Sequence, residues 1–451
     1  MLDETSGKYT RREALGLMAR AGAGLGLLGA SGLLNAAPAL ATPARMIDRP
    51  LRVHHDASIG PFLQPYIDKF NEMYAPLRAE GSYVPQDYHA VTETQFLGGA
   101  VDYDVPFADP GYTKKWYRAG WIQSVDDFPG IADLEADSID AALTEIELDG
   151  KMVALPYYVG TEHFFYNSEM LDKIGAKPPA DWGTFIEVSR MLRDKGIVEY
   201  PFSPYWTREF TLIWYQFMAA SWSEGAQALF DAKFNPVFET DPACLAVLNT
   251  WHQLYAEKLV PPDILSTSYG NTGNIFSAGR SAFIIRYQLE LKNYNDPTKS
   301  LIAGKAKNAL LPGKAHTTNL WVSNWFMTAA TPDRDAAWQL LSFLGGKDKT
   351  GQYYTPKRLI GLDYGLGFCY KSLFDDPDIV ASWGKWSDPA IIKAQTANSK
   401  TVGPVINETW YIEFTESFSV SLQKAVTGEL SPQAALKEGA DFVRSKVTPS
   451  S

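Results

Sequence analysis

The chain has 451 residues, with 41 Lys+Arg against 52 Asp+Glu and a formal net charge of −11. Apolar residues make up 45% and charged residues 21%, a balance of globular rather than disordered sequences, and the acidity argues against a nucleic-acid partner, which requires a basic face. Two cysteines exclude a disulfide scaffold or a Cys-rich metal cluster, while 23 Phe, 23 Tyr and 13 Trp leave open whether the aromatics are core or binding surface.

Residues 1–41 read as a targeting segment. Lys8, Arg11, Arg12 and Arg20 precede an uncharged Ala/Gly/Leu-rich run from Ala21 to Leu40, and Ala39-Leu40-Ala41 offers small residues for cleavage. The paired Arg11-Arg12 ahead of a Gly-rich, weakly apolar stretch is similar to a twin-arginine export signal, which implies a bacterial protein delivered folded to the periplasm. An uncleaved anchor is the alternative, set against a strongly apolar part that is short. No later run reaches the roughly 18 apolar residues of a spanning helix.

The first element after that segment is a short strand at Pro50–His54, followed by a polar turn at Asp56–Gly60. A helix begins near Pro61, with Phe62, Leu63, Tyr66, Ile67, Phe70, Met73 and Tyr74 at three- and four-residue steps. Asp102 to Asp109 gives another strand ending in an acidic loop, and Lys114 to Ala119 the next helix; this alternation opens an α/β layer. Ligands of such sheets sit at the carboxyl ends of the strands, which brings Asp56 and Asp109 towards one crevice. The acidic segment 126–149 is expected at the surface. A new unit follows Gly150: Asn167 caps a short helix that Gly175 stops, and Asp181 caps the helix carrying Phe185, Val188, Met191 and Leu192. Residues 201–260 read as mostly helical, Ala282–Ile285 as a buried strand, and Thr331-Pro332 and Ser431-Pro432 as helix starts.

On these residues the chain resembles a known family. Asp149-Gly150-Lys151-Met152-Val153-Ala154-Leu155-Pro156-Tyr157, leading to Phe165-Tyr166-Asn167 and Pro178-Pro179-Ala180-Asp181-Trp182, is similar to the pattern of extracellular solute-binding proteins of the carbohydrate ABC-transporter type. Phe276 to Phe283, Asp335 to Leu344 and Gly428 to Leu436 match further stretches in the same order, so the resemblance covers nearly the whole chain after residue 41. It implies an α/β, two-lobed, type II periplasmic-binding-protein fold of the maltose-binding kind, each lobe a mixed sheet flanked by helices. By the resemblance, the chain crosses between lobes near 154–160, returns near 312–322 and crosses again near 347–357. One lobe then holds 45–155 plus 318–350 and the other 156–312 plus 355–445. The implied role is capture of a sugar, oligosaccharide or polyol and its delivery to membrane permease subunits, by a monomer without cofactor.

Sugars present apolar C–H faces and a rim of hydroxyls, which match aromatic plates beside carboxylates and amides. The segments expected at the crevice supply His55, Asp56, Asp109, Tyr157, Tyr158, Glu162, Tyr205, Trp206, Arg286, Tyr287, Asn319, Trp321, Asn324 and Trp410, with Thr161, Glu408 and Tyr411 nearby. For each aromatic, packing in the core or at the crossing competes with ligand contact, and Arg286 is open to an internal carboxylate as well as to a ligand. His54-His55 does not suit one metal ion, since neighbours on a strand point to opposite faces. Cys244 and Cys369 leave pairing or burial as free thiols open. The sequence lacks H-E-x-x-H, G-x-S-x-G and G-x-x-x-x-G-K-[ST]. The alternatives carried are a secreted carbohydrate-active enzyme and a binding protein for a non-sugar solute such as a metal or polyamine.

Overall fold

The computed structural model describes residues 49–84 and 88–447, so the export-signal reading of residues 1–41 lies outside the described residues. Within them the strands are β1 (Leu51–Asp56), β2 (Ala79–Val84), β3 (Val105–Ala108), β4 (Glu147–Leu148), β5 (Lys151–Met152), β6 (Leu155–Asn167), β7 (Phe283–Tyr287), β8 (Ala306–Ala309), β9 (Thr318–Trp325) and β10 (Ser399–Lys400). β4 and β5 form a small separate pair, and the others run in the order β2-β1-β3-β9-β6-β7, with β10 beside β9 and β8 beside β6. β1 is parallel to β2 and β3, whereas β9 is antiparallel to β3 and to β6, and β7 is antiparallel to β6. The sheet is therefore mixed.

Two strands tie its halves together. β6 pairs through Leu155–Thr161 with β9 and through Glu162–Asn167 with β7 and β8. β9 in turn pairs through Asn324 and Trp325 with β3 and through Thr318 and Asn319 with β10. The burial of β6 is almost continuous rather than alternating, as expected of a strand covered on both faces.

Apolar side chains form two interior clusters. One gathers β1, β3, Trp116, Leu134, Trp325, Phe343 and, from the later chain, Leu359, Phe368, Ile379 and Ile392. The other gathers Phe164, Trp206, Trp214, Trp251 and Phe283 with Phe414, Phe418 and Val443. Burying a side chain such as Phe414 or Phe418 stabilises the fold by roughly 1.5–3 kcal/mol. Cys244 lies in the second cluster and Cys369 in the first, both buried as free thiols.

Helix ends largely follow the capping chemistry of the sequence. Asn167 accepts from Met170 N at 3.4 Å, Asp181 from Thr184 N at 2.8 Å and Ser431 from Ala434 N at 3.1 Å, and Gly175 ends its helix at φ 68°, a conformation glycine adopts without strain. Thr331 is a correction. The cap of the Arg334–Gly345 helix is Asp333, which accepts from Ala336 N at 3.0 Å. Thr331 Oγ1 instead donates to Asp104 at 2.7 Å, joining Arg49 and the Arg52 backbone N–H around that fully buried carboxylate.

The acidic 126–149 segment is a second correction. It forms the helices Ile131–Asp137 and Asp140–Ile146, which bury Ile131, Leu134, Ala142, Glu145 and Ile146; two short apolar stripes were masked by the charges between them. The 201–260 region holds the helices Leu212–Glu224 and Pro242–Ala256, with a single 3-10 turn at Glu209–Thr211 and otherwise irregular chain before and between them.

Candidate functional site

The registers of β6, β7 and β9 decide which side chains share a face. Opposite residues of an antiparallel pair project to the same side, and neighbours along a strand to opposite sides. Tyr158 lies opposite Ser323, Gly160 opposite Trp321 and Glu162 opposite Tyr287. Tyr158, Glu162, Tyr287, Asn319, Trp321 and Ser323 therefore line one face where β6 passes from one half of the sheet to the other. Gly160 leaves room for this: a Cβ there would lie 3.1 Å from the Tyr287 ring. Tyr215, from the Leu212–Glu224 helix, meets the edge of Trp321 with ring centroids 5.6 Å apart.

Asp109 joins this wall just beyond the end of β3. Trp321 Nε1 donates to Ser323 Oγ at 3.1 Å, and Ser323 Oγ donates to Asp109 at 2.9 Å. His89 Nε2 accepts the Asp109 backbone N–H at 3.2 Å, which requires the neutral ring; burial likewise holds His89 below its ordinary pKa. Burial raises the Asp109 carboxyl against the opposing pull of His89, although its side chain keeps 32% exposure. Burial, with the Asp109 charge beside it, also lifts the Tyr158 phenol to about 12. The result is a partly open carboxylate set among Tyr158, Tyr215 and Trp321.

Glu162 is fully buried at the centre of the crossing. Tyr205 Oη donates to its Oε1, Asn319 Nδ2 approaches the same oxygen at 3.4 Å, and Oε2 has no partner. Desolvation pushes its pKa up to about 8, so the group is mostly protonated at neutral pH. Tyr215, Asn319, Trp321, Glu145 and Lys400 border a small recess next to it, and burial raises Glu145 to about 7.

The expected site residues separate into groups. Asp109, Tyr158, Glu162, Tyr205, Tyr287, Asn319 and Trp321 are brought together. His55 and Tyr157 form an aromatic layer with Phe107 and Trp325: His55 stacks on Phe107 at 4.1 Å, and Tyr157 lies 4.7 Å from Trp325. Both His55 ring nitrogens are buried without a partner, and desolvation lowers its pKa to about 3.

The remaining five are placed elsewhere. Asp56 caps the turn Ala57–Ile59, accepting from Ser58 N at 2.7 Å. Trp206 is fully buried, 5.0 Å from the Trp251 ring, and Trp410 packs between Phe230 and Phe414. Both belong to the second apolar cluster, because an indole on a helix-rich segment gains more from full burial than from a wet wall. Asn324 is fully buried and donates to Val322 O at 3.2 Å. Arg286 lies opposite His163, one position from the Glu162–Tyr287 pair, and so leaves β7 on the other face. Of the neighbours, Tyr411 accepts from Trp214 Nε1 at 2.9 Å and Glu408 pairs with Lys114 at 3.2 Å.

Sequence reading missed Tyr215, Ser323, His89, Glu145 and Lys400. Tyr215 was hidden in a helix apolar on every side, and Ser323 was legible only once 318–325 is known as a strand, where it alternates with Trp321.

The matching family model is that of the bacterial extracellular solute-binding proteins, over residues 65–401. The chain belongs to this family. Among relatives of the solute-binding chain is the erythritol/L-threitol-binding protein of Mycolicibacterium smegmatis, 24% identical over 314 residues, which cover 63% of this chain and 64% of that protein. Among solved structures it is similar to maltose-bound MalE3 of T. maritima, with TM-score 0.72, 18% identity and coverage of 88% of this chain and 99% of that one. An ABC-transporter solute-binding protein of Agrobacterium radiobacter K84 in complex with ribitol superposes with TM-score 0.70, 18% identity and the same coverages. The fold of this solute-binding protein is thus the two-lobed type II architecture that the sequence motifs implied, and the family is one of binding proteins rather than enzymes.

Proposed function

We propose that the chain is the substrate-binding component of an ABC importer that captures a sugar, oligosaccharide or polyol between two lobes and hands it to permease subunits in the inner membrane. In this reading it is a periplasmic monomer, exported through the twin-arginine-type segment of residues 1–41. The lobes are 45–155 plus 318–350 and 156–312 plus 355–445, and closure on ligand is a population shift about the β6 and β9 crossings. Relatives and structural neighbours named for erythritol, ribitol and maltose support the ligand class.

The observation that carries the proposal is the wall made by Tyr158, Tyr215 and Trp321 around Asp109, with Tyr287 on the same face of the sheet beside Glu162. Rings supply flat faces for C–H groups, and the carboxylate and phenols supply acceptors and donors for hydroxyls. Purified protein lacking residues 1–41 is tested by thermal melting and calorimetry against erythritol, ribitol, mannitol and maltose. Ligand at 100 times its Kd stabilises by about 2.7 kcal/mol, so a binder gives a clear upward melting shift and no chemical turnover. Absence of any shift across the set, or appearance of hydrolysis products, sinks the proposal.

A further inference from the structure

Arg286 is the one lysine or arginine in the buried class among the described residues, at 1% exposure. Among the described residues, no carboxylate lies within salt-bridge distance of it. Its guanidinium sits 3.6 Å from the Tyr269 ring centroid and 5.2 Å from that of Tyr205. Nη2 donates to Tyr269 O and Thr272 Oγ1, while Nε and Nη1 have no partner. Glu162, the nearby acid, is mostly protonated at neutral pH and does not supply a full counter-charge. A buried cation left so incompletely bonded is costly unless an anion completes it.

The space beside Arg286 is a groove between the helices Tyr269–Ser277 and Leu289–Tyr294. Gly273 forms part of its wall; a Cβ there would stand 3.2 Å from Tyr294 Oη and 3.5 Å from Arg286 Nη2. The missing side chain therefore opens the groove towards both groups. Tyr294 Oη is buried beside the Arg286 guanidinium, and its hydroxyl hydrogen has no acceptor. Asn274, Glu290 and Lys299 also line the groove; Lys299 Nζ donates to Asn293 Oδ1 at 3.1 Å and lies 3.7 Å from Asp296, so Lys299 has a carboxylate partner and Arg286 does not.

We propose that this groove is a second binding site, for a small oxyanion, a carboxylate or a phosphate, held by Arg286, Tyr294 and Lys299. The planar guanidinium fork matches such anions in geometry as well as charge. The groove adjoins the crevice wall through Tyr205, whose ring lies 5.2 Å from the guanidinium and whose hydroxyl donates to Glu162. Tyr158, Tyr215, Tyr287, Trp321 and Asp109 do not line it, so anion binding there is tested separately from polyol binding.

The test is calorimetry and thermal melting of the chain from residue 42 onward with inorganic phosphate and, separately, with acetate, both at constant ionic strength. At least one anion is expected to raise the melting temperature and to give a saturable heat. Lys299→Glu is expected to weaken that binding at least tenfold while leaving the melting temperature without anion unchanged, and Arg286→Gln to abolish it. A response to phosphate alone assigns a tetrahedral anion, and a response to acetate a carboxylate. If neither anion binds, or if binding is undiminished in Lys299→Glu, the proposal is overturned even should Arg286→Gln fail to fold.

Discussion

Tyr205 donates its hydroxyl hydrogen to Oε1 of Glu162, 43 positions earlier in the chain, and leaves the second carboxyl oxygen of Glu162 buried without a partner. The pair fastens the loop before the Leu212–Glu224 helix onto the strand that crosses the sheet. Its acid is held mostly protonated, since desolvation pushes the Glu162 pKa from 4.5 to about 8.

The first prediction follows from that shift. The folded state keeps its proton up to about pH 8 whereas the unfolded chain releases it above 4.5, so folding binds more protons in between. Stability contributed by Glu162 is full below the unfolded value and is lost as pH rises through the folded one. Glu162→Gln, a neutral isostere, is expected to abolish this loss, worth on the order of 1–4 kcal/mol. Urea melts of both proteins at about pH 5 and about pH 8 measure it; parallel pH profiles count against a protonated Glu162.

His55 carries the opposite sign. Desolvation lowers its pKa from 6.5 to about 3, so the folded state binds fewer protons than the unfolded chain. The contribution is present above the unfolded value and is lost as pH falls towards the folded one. His55→Phe keeps an aromatic ring against Phe107 and Trp325 and is expected to retain more of its stability between about pH 6 and about pH 4 than the parent does. Acid unfolding followed by circular dichroism is the measurement.

Trp206 and Trp321 are expected to behave differently, although both were candidates for the crevice. Trp206→Ala empties a fully buried site beside Trp251 and should cost about 3–5 kcal/mol of stability. Trp321, part-buried against Tyr215, should on replacement by Ala lower affinity for whichever polyol or sugar binds, with a smaller loss of stability. Melting and calorimetry on both variants separate the roles; equal affinity in Trp321→Ala removes that ring from the site.

In the proposed site Asp109 is the carboxylate for ligand hydroxyls, and Ser323 Oγ donates to it at 2.9 Å. Hydrogen bonds to charged groups contribute about 1.5–3 kcal/mol each, so Asp109→Asn should weaken ligand binding by at least about tenfold. Ser323→Ala should weaken it less, because the carboxylate keeps its charge and loses only an orienting donor. An Asp109→Asn protein that binds as tightly as the parent would show that the carboxylate does not touch ligand.

Much of the fold was written locally. The Asn167, Asp181 and Ser431 caps, the Gly175 stop and the apolar stripe from Leu63 to Phe70 depend on neighbours three or four residues away, and the structure shows each of them. Motif order added the family and the two-lobed architecture. Asp109, Tyr158, Glu162, Tyr287, Asn319 and Trp321 were legible as a set of polar and aromatic residues near the expected crossings.

What the tertiary structure alone decided is which face each of them uses. A one-residue step along β7 places Tyr287 beside Glu162 and turns Arg286 towards the opposite groove, and no composition or spacing distinguishes the two without knowledge of register. Burial decided the rest. Trp206 and Trp410 carry the same indole as Trp321, but the second apolar cluster closes over them, and only the packing of distant helices determines whether a ring becomes core or wall.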